Sequence, residues 1–344
     1  MRGDRLAIGA VLLGGAGCAL GWVLTPLALY TGWLAGFDFW LGAVLACLAW
    51  PMILRLSGGS RWGTALASAF RAVAASLPLF LVLLLPLLLG MARLYPWMTA
   101  STANHWYLNP AFFVVRALFA LALWIGLLLL WRGAADGPRA GAIAAAGLIL
   151  LTLTATFTAI DWTMSLEPTW SSSIYGMQAI TGHLLAGLAL AILWTPPQPA
   201  EINRDLGTLL LALVLVWAYL AFMQFLIVYS ENLPQEIPWY LKRMAGGWGA
   251  LGLALVVAHV ALPFCVLLIA ALKRRAGIIR GMALLLFLSQ LAHELWLVLP
   301  EHPALSLIWI APAAMLLIGV TVLAWARTDV PLPLPGRIAE GRHG

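Results

Sequence analysis

Long runs of apolar residues, separated by short segments that hold most of the charged residues, follow one another along the whole chain. A helix needs roughly 20 apolar residues to cross about 30 Å of hydrocarbon, and by that measure the pattern predicts ten membrane-spanning helices. The predicted spans are residues 6–30, 33–55, 72–92, 109–131, 140–162, 172–194, 206–229, 240–271, 277–298 and 305–326. The eighth is long enough to tilt or to extend beyond the bilayer. Residues 61–71 are expected to be an interfacial lead-in to the third span.

The architecture predicted from this pattern is a single all-α integral membrane domain over residues 1–328, because no low-complexity linker separates the spans. The first apolar run is too long for the apolar core of a cleaved signal peptide, so we interpret it as the first span. Residues 329–344 are rich in proline and are expected to form a poorly ordered cytoplasmic tail.

Lysine and arginine residues are concentrated in alternate connections between the predicted spans. The connections of the other set hold only Arg93, Lys242 and Arg243. Since the basic connections of a membrane protein remain on the cytoplasmic side, both termini are predicted to be cytoplasmic. Residues 161–170 and 231–243 then lie in outer loops.

Composition supports the same class of protein. The chain is 63% hydrophobic and only 9% charged, whereas soluble domains carry about 25% charged residues. The net charge of +6 is spread between the spans and forms no basic patch, which argues against a nucleic-acid partner and leaves the lipid bilayer as the expected environment. Many of the 18 tryptophans lie at the ends of apolar runs and are expected to form interfacial belts: Trp33, Trp97, Trp106, Trp131, Trp162, Trp170, Trp194 and Trp239.

The sequence contains no motif that would ligate a redox cofactor. The three cysteines form neither CxxC nor CxxCH, which excludes iron–sulfur and c-type haem ligation by these residues. A b-type haem between His183 and His259 would need matched depth on facing helices, and neither run offers the small residues and basic propionate partners that such a site uses. The adjacent pair His293–Glu294 gives only weak support to a metal site, so no metal is predicted.

Ionisable side chains within the predicted spans are candidates for function, because each costs at least a few kcal/mol in hydrocarbon. Arg116 is expected to be the buried counter-ion of one of three carboxylates, Asp161, Asp38 or Glu294. His183 and His259 either hydrogen-bond between helices or transfer protons. The neighbours His293 and Glu294 point in different directions on one helix and can serve two partners. In the outer loops, Glu167 and Glu231 are either solvated helix-end residues or an outer proton exit.

Two ordered stretches carry a resemblance. They resemble segments of one membrane subunit of bacterial alternative complex III, which is a paralogue of the quinol-oxidising membrane subunit of that complex. The two stretches are TFTAIDWTMSLEPTWSSSIYGMQAITG (156–182) and YLAFMQFLIVYSENLPQEIPWYLKRMAGGWG (219–249). Together they cover about a sixth of the chain, and the count of ten spans also fits. The resemblance implies a fold based on four-helix bundles, of the type found in the polysulfide-reductase membrane subunits.

The resemblance also implies a function. Alternative complex III is a quinol:electron-acceptor oxidoreductase of the bacterial inner membrane, in which haems and iron–sulfur clusters lie on partner subunits. By resemblance, this chain would bind no redox group of its own, and would pack beside a paralogous quinol-oxidising membrane subunit, a multihaem cytochrome c and an iron–sulfur subunit. A quinone would be the small molecule that binds in or beside this chain. Asp161, His183, His259, His293 and Glu294 would lie near the quinone or move protons, Arg116 would be a charge partner, and Glu167 and Glu231 would form the outer exit.

The chain departs from this family in two respects: it is short for a member, and Thr169 occupies the place of a usual histidine in DWxMSLEPHW. The lost titratable group weakens a proton or quinone role for that loop. Two other functions remain open on the sequence. The chain is either a purely structural scaffold of the complex, or a transporter of a small solute or ion, for which Pro263 in the eighth span offers modest support.

Overall fold

The computed structural model describes residues 2–99, 105–134, 137, 139–301 and 309–328, with side chains from residue 8 onward. All regular structure in these residues is helical. The α-helices are α1 (Arg2–Leu24), α2 (Pro26–Leu56), α3 (Arg61–Ala74), α4 (Phe80–Leu83), α5 (Leu85–Leu94), α6 (Pro110–Ala134), α7 (Arg139–Trp162), α8 (Tyr175–Trp194), α9 (Ala200–Glu231), α10 (Ile237–Met244), α11 (Gly247–Leu255), α12 (Leu262–Leu268), α13 (Ala270–Lys273), α14 (Ala276–Val298) and α15 (Ile310–Arg327). Short 3₁₀ turns lie at Leu77–Leu79, Pro96–Met98, Met164–Leu166 and Leu299–Glu301, and a π-helical turn at Val256–Ala261 joins α11 to α12.

Nine helical segments of the described residues are long and apolar enough to cross a membrane. They are Pro26–Leu56, Arg61–Leu83, Pro110–Ala134, Arg139–Leu166, Tyr175–Trp194, Ala200–Glu231, Gly247–Leu268, Ala276–Glu301 and Ile310–Arg327, and two shorter apolar helices are Ile8–Leu24 and Leu85–Leu94. The predicted class, an all-α multi-pass membrane protein, is therefore confirmed. The count of ten, the four-helix-bundle basis and the cytoplasmic termini stay predictions. The tail at 329–344 and the start of the tenth predicted span lie outside the described residues.

Helix α2 forms the centre of the molecule and packs on α8, α14 and α15. Most of its residues are buried within the chain, as expected for a helix that is apolar on every face and surrounded by neighbours. Gly32 allows α2 to approach α15 closely, because a Cβ at this position would overlap Ala311 of α15. Two other central helices, α8 and α14, hold ionisable residues that the sequence singled out, so the site follows from this packing.

The third predicted span begins earlier than expected. The side chain of Ser60 accepts a hydrogen bond from the backbone N–H of Gly63 at 3.1 Å and caps α3 at its first turn. Residues 61–71, predicted above to be an interfacial lead-in to the third span, lie in α3 and are continuous with the helical segment Arg61–Leu83. Their interfacial position stays a prediction.

The eighth predicted span, residues 240–271, is not one helix. Gly246 has a φ of +54°, a conformation that suits glycine, and it separates α10 from α11. Pro263 then lies in the first turn of α12, directly after the π-helical turn. Proline has no backbone N–H and crowds the preceding turn, so a local change of helix pitch before it is expected. Gly246 and Pro263 therefore mark two helix breaks within an apolar run that hydropathy alone predicted to be one span.

Several tryptophans expected in interfacial belts are buried inside the chain. Trp97, Trp162, Trp170 and Trp239 all have little exposed surface. The rings of Trp170 and Trp239 stack with centroids 4.3 Å apart, so these two residues join the loop between α7 and α8 to α10. Trp106 does project from the protein, with 83% of its surface exposed. The interfacial interpretation was therefore wrong for the four buried residues.

Candidate functional site

A cavity of about 650 Å³ lies among the helices that the two quoted stretches help to form. Its walls come from α8, α9, α10, α11 and α14, and Asp38 of α2 reaches it from the centre of the molecule. The volume falls within the range of small-molecule sites, roughly 300–1,000 Å³. Most of the lining is apolar and aromatic. Its polar side chains are those of Asp38, Thr163, Gln178, Gln224, Arg243, His293 and Glu294.

The cavity opens sideways between α9 and α11. Three lining residues on these elements and the adjoining π-helical turn are largely exposed at the perimeter of the molecule: Phe222 (55%), Leu253 (67%) and Val256 (59%). Among the described residues, helix α9 packs on α12, beyond the π-helical turn, and has little contact with α11, which leaves room for the opening. In a helix bundle that spans a bilayer, an apolar perimeter faces lipid, so the opening faces the hydrocarbon.

Asp38 and Glu294 form a polar and buried part of the cavity wall at its inner end, and His183 lies beside them without lining the cavity. Asp38 Oδ2 lies 3.8 Å from His183 Nε2, and one ligand atom from each of Asp38, His183 and Glu294 lies within 4.8 Å of the others. Glu294, of which only 2% is exposed, accepts a hydrogen bond from Gln290 Nε2 at 3.2 Å. Three helices, α2, α8 and α14, therefore bring two carboxylates and an imidazole together. We call Asp38, His183 and Glu294 the polar cluster.

Several buried polar atoms around the polar cluster have no hydrogen-bond partner among the described residues. They are His183 Nε2, Glu294 Oε2, Gln178 Oε1 and Gln290 Oε1. Buried polar atoms in folded proteins nearly always have a partner. The inner end of the cavity therefore has unused capacity to bind a ligand with hydrogen-bond donors or positive charge.

Glycine residues provide the space for the polar cluster. A Cβ on Gly42 of α2 would overlap the imidazole ring of His183, and a Cβ on Gly182 would overlap the amide of Gln290. Both glycines lie within helices, where alanine would be the better residue by intrinsic preference. Their positions are therefore explained by the side chains that they admit.

The other two candidate histidines flank an indole. Trp217 lies between His259 and His293, with ring centroids 4.3 and 5.0 Å away. His259 is fully buried in the π-helical turn, and its Nδ1 is 2.8 Å from Ser289 Oγ. His293 lines the cavity, whereas His259 does not. For His259 the geometry fits the helix–helix hydrogen-bonding alternative, and His293 remains a site candidate.

Arg116 pairs with Asp161, one of the three carboxylates proposed for it. The contact is bidentate, with Nε–Oδ2 at 2.7 Å and a second hydrogen bond of 3.0 Å between Nη2 and Oδ1. Arg116 also donates to the carbonyl of Tyr107 at 3.0 Å. Because both oxygens of Asp161 are engaged and neither residue lines the cavity, this pair joins α6 to α7 and stands apart from the polar cluster.

An ion-pair network lies at the end of the cavity that is predicted to face outward. Lys242 of α10 bridges Glu167 and Glu301, and its distance to Glu301 is 3.0 Å. Arg243 contacts Glu301 at 2.7 Å and lies over the ring of Trp239, with its Cζ 3.7 Å from the centroid. We call Glu167, Lys242, Arg243 and Glu301 the outer clasp, because it ties the loop after α7 and the end of α14 to α10.

The charges of the outer clasp favour each other's ionised forms. For Glu167, burial favours the neutral acid, but hydrogen bonds from Lys242 and Thr169 and the positive charge of Lys242 outweigh it and hold the pKa below its usual value. For Lys242, burial favours the neutral amine, yet the hydrogen bonds and charges of Glu167 and Glu301 raise the pKa. Glu167 is therefore a paired residue. Glu231, at the end of α9, is exposed and lies outside the cavity.

Some site residues were not among the candidates from the sequence. Gln290 lies one helical turn before Glu294, and that spacing is a signal that could have identified it. Trp217 and Glu301 had no such signal. Asp38 was considered only as a partner of Arg116, since nothing in the sequence links it to His183.

Comparison of the chain with models of known protein families finds no match, and comparison with curated proteins finds no similar protein either. The geometry of the cavity and its polar end therefore carries the functional argument.

Proposed function

We propose that the chain is a membrane subunit, without a redox group of its own, of a quinol-oxidising respiratory complex, and that its lateral cavity is a quinone-adjacent site. The single observation that carries the proposal is a cavity that opens toward hydrocarbon and ends at buried polar atoms with no hydrogen-bond partner in the described part of the chain. A quinone combines the same two features, since it has a polar head that forms hydrogen bonds and an apolar tail that remains among lipid chains.

The lining suits each part of such a molecule. At the polar end, Glu294 and Gln178 have oxygen atoms free to accept hydrogen bonds from quinol hydroxyl groups. Between that end and the opening, Trp217, Phe222 and Phe225 offer aromatic surface for a ring and an isoprenoid tail. The position of His293 beside Glu294 adds a second polar group at the head of the cavity.

The partners follow from the resemblance described above. A paralogous quinol-oxidising membrane subunit, a multihaem cytochrome c and an iron–sulfur subunit would hold the electron carriers, within the bacterial inner membrane. The proposal divides the sequence candidates into two groups. Glu294, His183 and His293 belong at or beside the cavity, while Asp161 with Arg116, and Glu167 in the outer clasp, maintain the structure around it.

A transporter is the second candidate, and one specific observation favours it. Helices α11 and α12 are separated by a π-helical turn at Val256–Ala261, directly before Pro263, and interrupted helices mark the substrate sites of many transporters. The cavity beside this turn would then hold a solute in place of a quinone. Solute flux into liposomes that contain the purified chain alone would support this alternative.

The association with a complex is tested by purifying the tagged chain in a gentle detergent and staining the product for haem. A multihaem cytochrome and a paralogous membrane subunit should copurify. Recovery of the chain alone, with no haem protein in stoichiometric amount, would refute the respiratory assignment. A scaffold subunit would also copurify, so a second measurement must address the cavity.

The cavity is tested by filling it. Ala221 of α9 lines the cavity, so Ala221→Phe should reduce labelling of the chain by a photoreactive quinone analogue at least about tenfold, because the ring would occupy the space of the ligand. Leu215→Phe is the matched control, since Leu215 lies on the same helix, is exposed and does not line the cavity. Equal labelling of the two variants would favour the scaffold function.

A further inference from the structure

We propose that the polar cluster is a binding site for one divalent first-row transition-metal ion, Zn²⁺ or Mn²⁺, held by Asp38, His183 and Glu294. This inference concerns the isolated chain and does not depend on the quinone proposal. It differs from the expectation that the sequence contains no metal site, because the ligands come from three helices that are far apart in the chain.

The distances within the polar cluster suit a shared ion. Three atoms that lie within 4.8 Å of one another are all within about 2.8 Å of a common centre, so small side-chain adjustments give bonds of about 2.0–2.2 Å. The 3.8 Å between Asp38 Oδ2 and His183 Nε2 is too long for a hydrogen bond. It is close to the spacing of about 3.4 Å between two ligands of a tetrahedral ion with such bonds.

Unpaired atoms provide an independent observation. Glu294 has an exposed fraction of only 2%, and its Oε2 has no hydrogen-bond partner among the described residues. The other oxygen, Oε1, accepts from Gln290, a contact that fixes the carboxylate as outer contacts do around known metal ligands. His183 Nε2 is likewise unpaired and faces Asp38.

The charge of the polar cluster favours a cation. Within the described part of the chain, neither Asp38 nor Glu294 lies within ion-pair distance of a lysine or an arginine. Arg116 binds Asp161, and Arg243, which also lines the cavity, binds Glu301. Two buried carboxylates beside one imidazole need either protons or a metal ion to compensate their charge.

The ligand set selects the class of metal. Carboxylate oxygens alone suit Mg²⁺ and Ca²⁺, whereas an imidazole with carboxylates suits Zn²⁺ or Mn²⁺. Asp38 and Glu294 line the cavity, so an ion can enter through it and keep open positions toward it. The same opening would let the site respond to metal ions without unfolding of the bundle.

Metal binding is measured on the purified, untagged full chain in nanodiscs, without partner subunits or quinol. Mn²⁺ should bind with one ion per chain, detected by the loss of the free-ion electron paramagnetic resonance signal, and Zn²⁺ should displace it while Mg²⁺ should not. Zn²⁺ should also raise the melting temperature, because a ligand of the folded state stabilises it.

Glu294→Gln and Asp38→Asn should each weaken Mn²⁺ binding at least about tenfold and abolish the shift in melting temperature, since even outer contacts of metal ligands contribute that much. Glu231→Gln is the matched control and should bind as the unchanged chain does, because Glu231 is exposed and remote from the cavity. Two variants are used so that failure of one to fold leaves the other informative.

Absence of stoichiometric binding, or affinity unchanged in both variants, would overturn the proposal and would mean that protons alone compensate the carboxylates. Failure of the metal proposal can be distinguished from failure of the quinone proposal. Labelling by a quinone analogue is blocked by Ala221→Phe, which leaves all three metal ligands in place.

Discussion

Gly42 and His183 show how one missing side chain shapes the site. Because a Cβ at position 42 would overlap the imidazole, Gly42→Ala must displace His183 or separate α2 from α8. We expect a loss of about 1–3 kcal/mol in the free energy of unfolding, the usual cost of overpacking, together with loss of metal binding at the polar cluster. Thermal unfolding in detergent and Mn²⁺ titration measure the two effects.

The control for this prediction lies in α6. A Cβ on Gly126 would have no neighbour within 4 Å, so Gly126→Ala should leave stability unchanged or raise it by up to about 1 kcal/mol. If both alanine variants melted at the temperature of the unchanged chain, the close packing of Gly42 on His183 would not exist in the folded protein.

The charged residues within the predicted spans fall into two groups, according to which side chains lie within ion-pair distance of them. Arg116 and Asp161 satisfy each other through two hydrogen bonds. Asp38 and Glu294 find only histidines at ion-pair distance among the described residues. The sequence predicted that such residues would be buried, and the cost of burying charge justified that expectation. It could not predict which carboxylate would meet Arg116, because pairing depends on which helices pack together.

At the scale of elements, α10 is held over the cavity by the outer clasp, and this contact should depend on pH. The pKa of Glu167 is lowered from 4.5, so its contribution to stability is complete above pH 4.5 and is lost as the pH falls through the lowered value. The pKa of Lys242 is raised from 10.5, so its contribution is complete below pH 10.5 and is lost as the pH rises through the raised value.

Lys242→Met is expected to lower the melting temperature by an amount that is constant between about pH 5 and 10 and that shrinks below pH 4.5, where Glu167 becomes protonated. Comparing the melting curves of the variant and the unchanged chain across this range tests the assignment. Lys273→Met serves as control, because Lys273 contacts only the hydroxyl of Thr208 among the hydrogen-bond partners in the described residues. A pH-independent difference down to about pH 3 would show that Lys242 acts through packing alone.

The helices themselves were largely predictable, since apolar runs of sufficient length gave most of the observed segments within a few residues. The errors came from local signals within such runs. Ser60 started a helix earlier than the apolar residues alone indicated, and Gly246 and Pro263 divided the eighth predicted span. Hydropathy averages over these residues, whereas helix caps and breaks depend on single backbone hydrogen bonds.

At the scale of the whole molecule, α2, α8 and α14 meet at the polar cluster, while many apolar side chains are exposed on the perimeter of the described residues. Within the described part of the chain, the cavity forms where α9 packs on α12 and not on α11. No property of any one helix predicts this opening, since it results from the arrangement of three elements and a π-helical turn. The face of the bilayer that this end occupies decides on which side a quinol site would release its protons.

The orientation predicted from basic residues places the polar cluster and the outer clasp toward the outer face, and single cysteines test it. Ser57→Cys and Glu201→Cys should react with a membrane-impermeant maleimide only after cells are permeabilised, whereas His105→Cys and Gln235→Cys should react in intact cells. All four residues are exposed. The background carries alanine at Cys18 and Cys265, and Cys47 is buried and should remain unlabelled.

The tenth span depends on α1, whose described apolar part, Ile8–Leu24, is shorter than the nine longer segments. If α1 crosses the bilayer as predicted, a peptide tag placed before it should be accessible to antibody only after permeabilisation, like positions 57 and 201. Exposure of the tag in intact cells, with the four cysteines labelled as expected, would leave nine spans and an outer N-terminus. Labelling of positions 57 and 201 in intact cells would instead reverse the whole molecule and place the cavity on the cytoplasmic side, where a quinol site would release its protons inward.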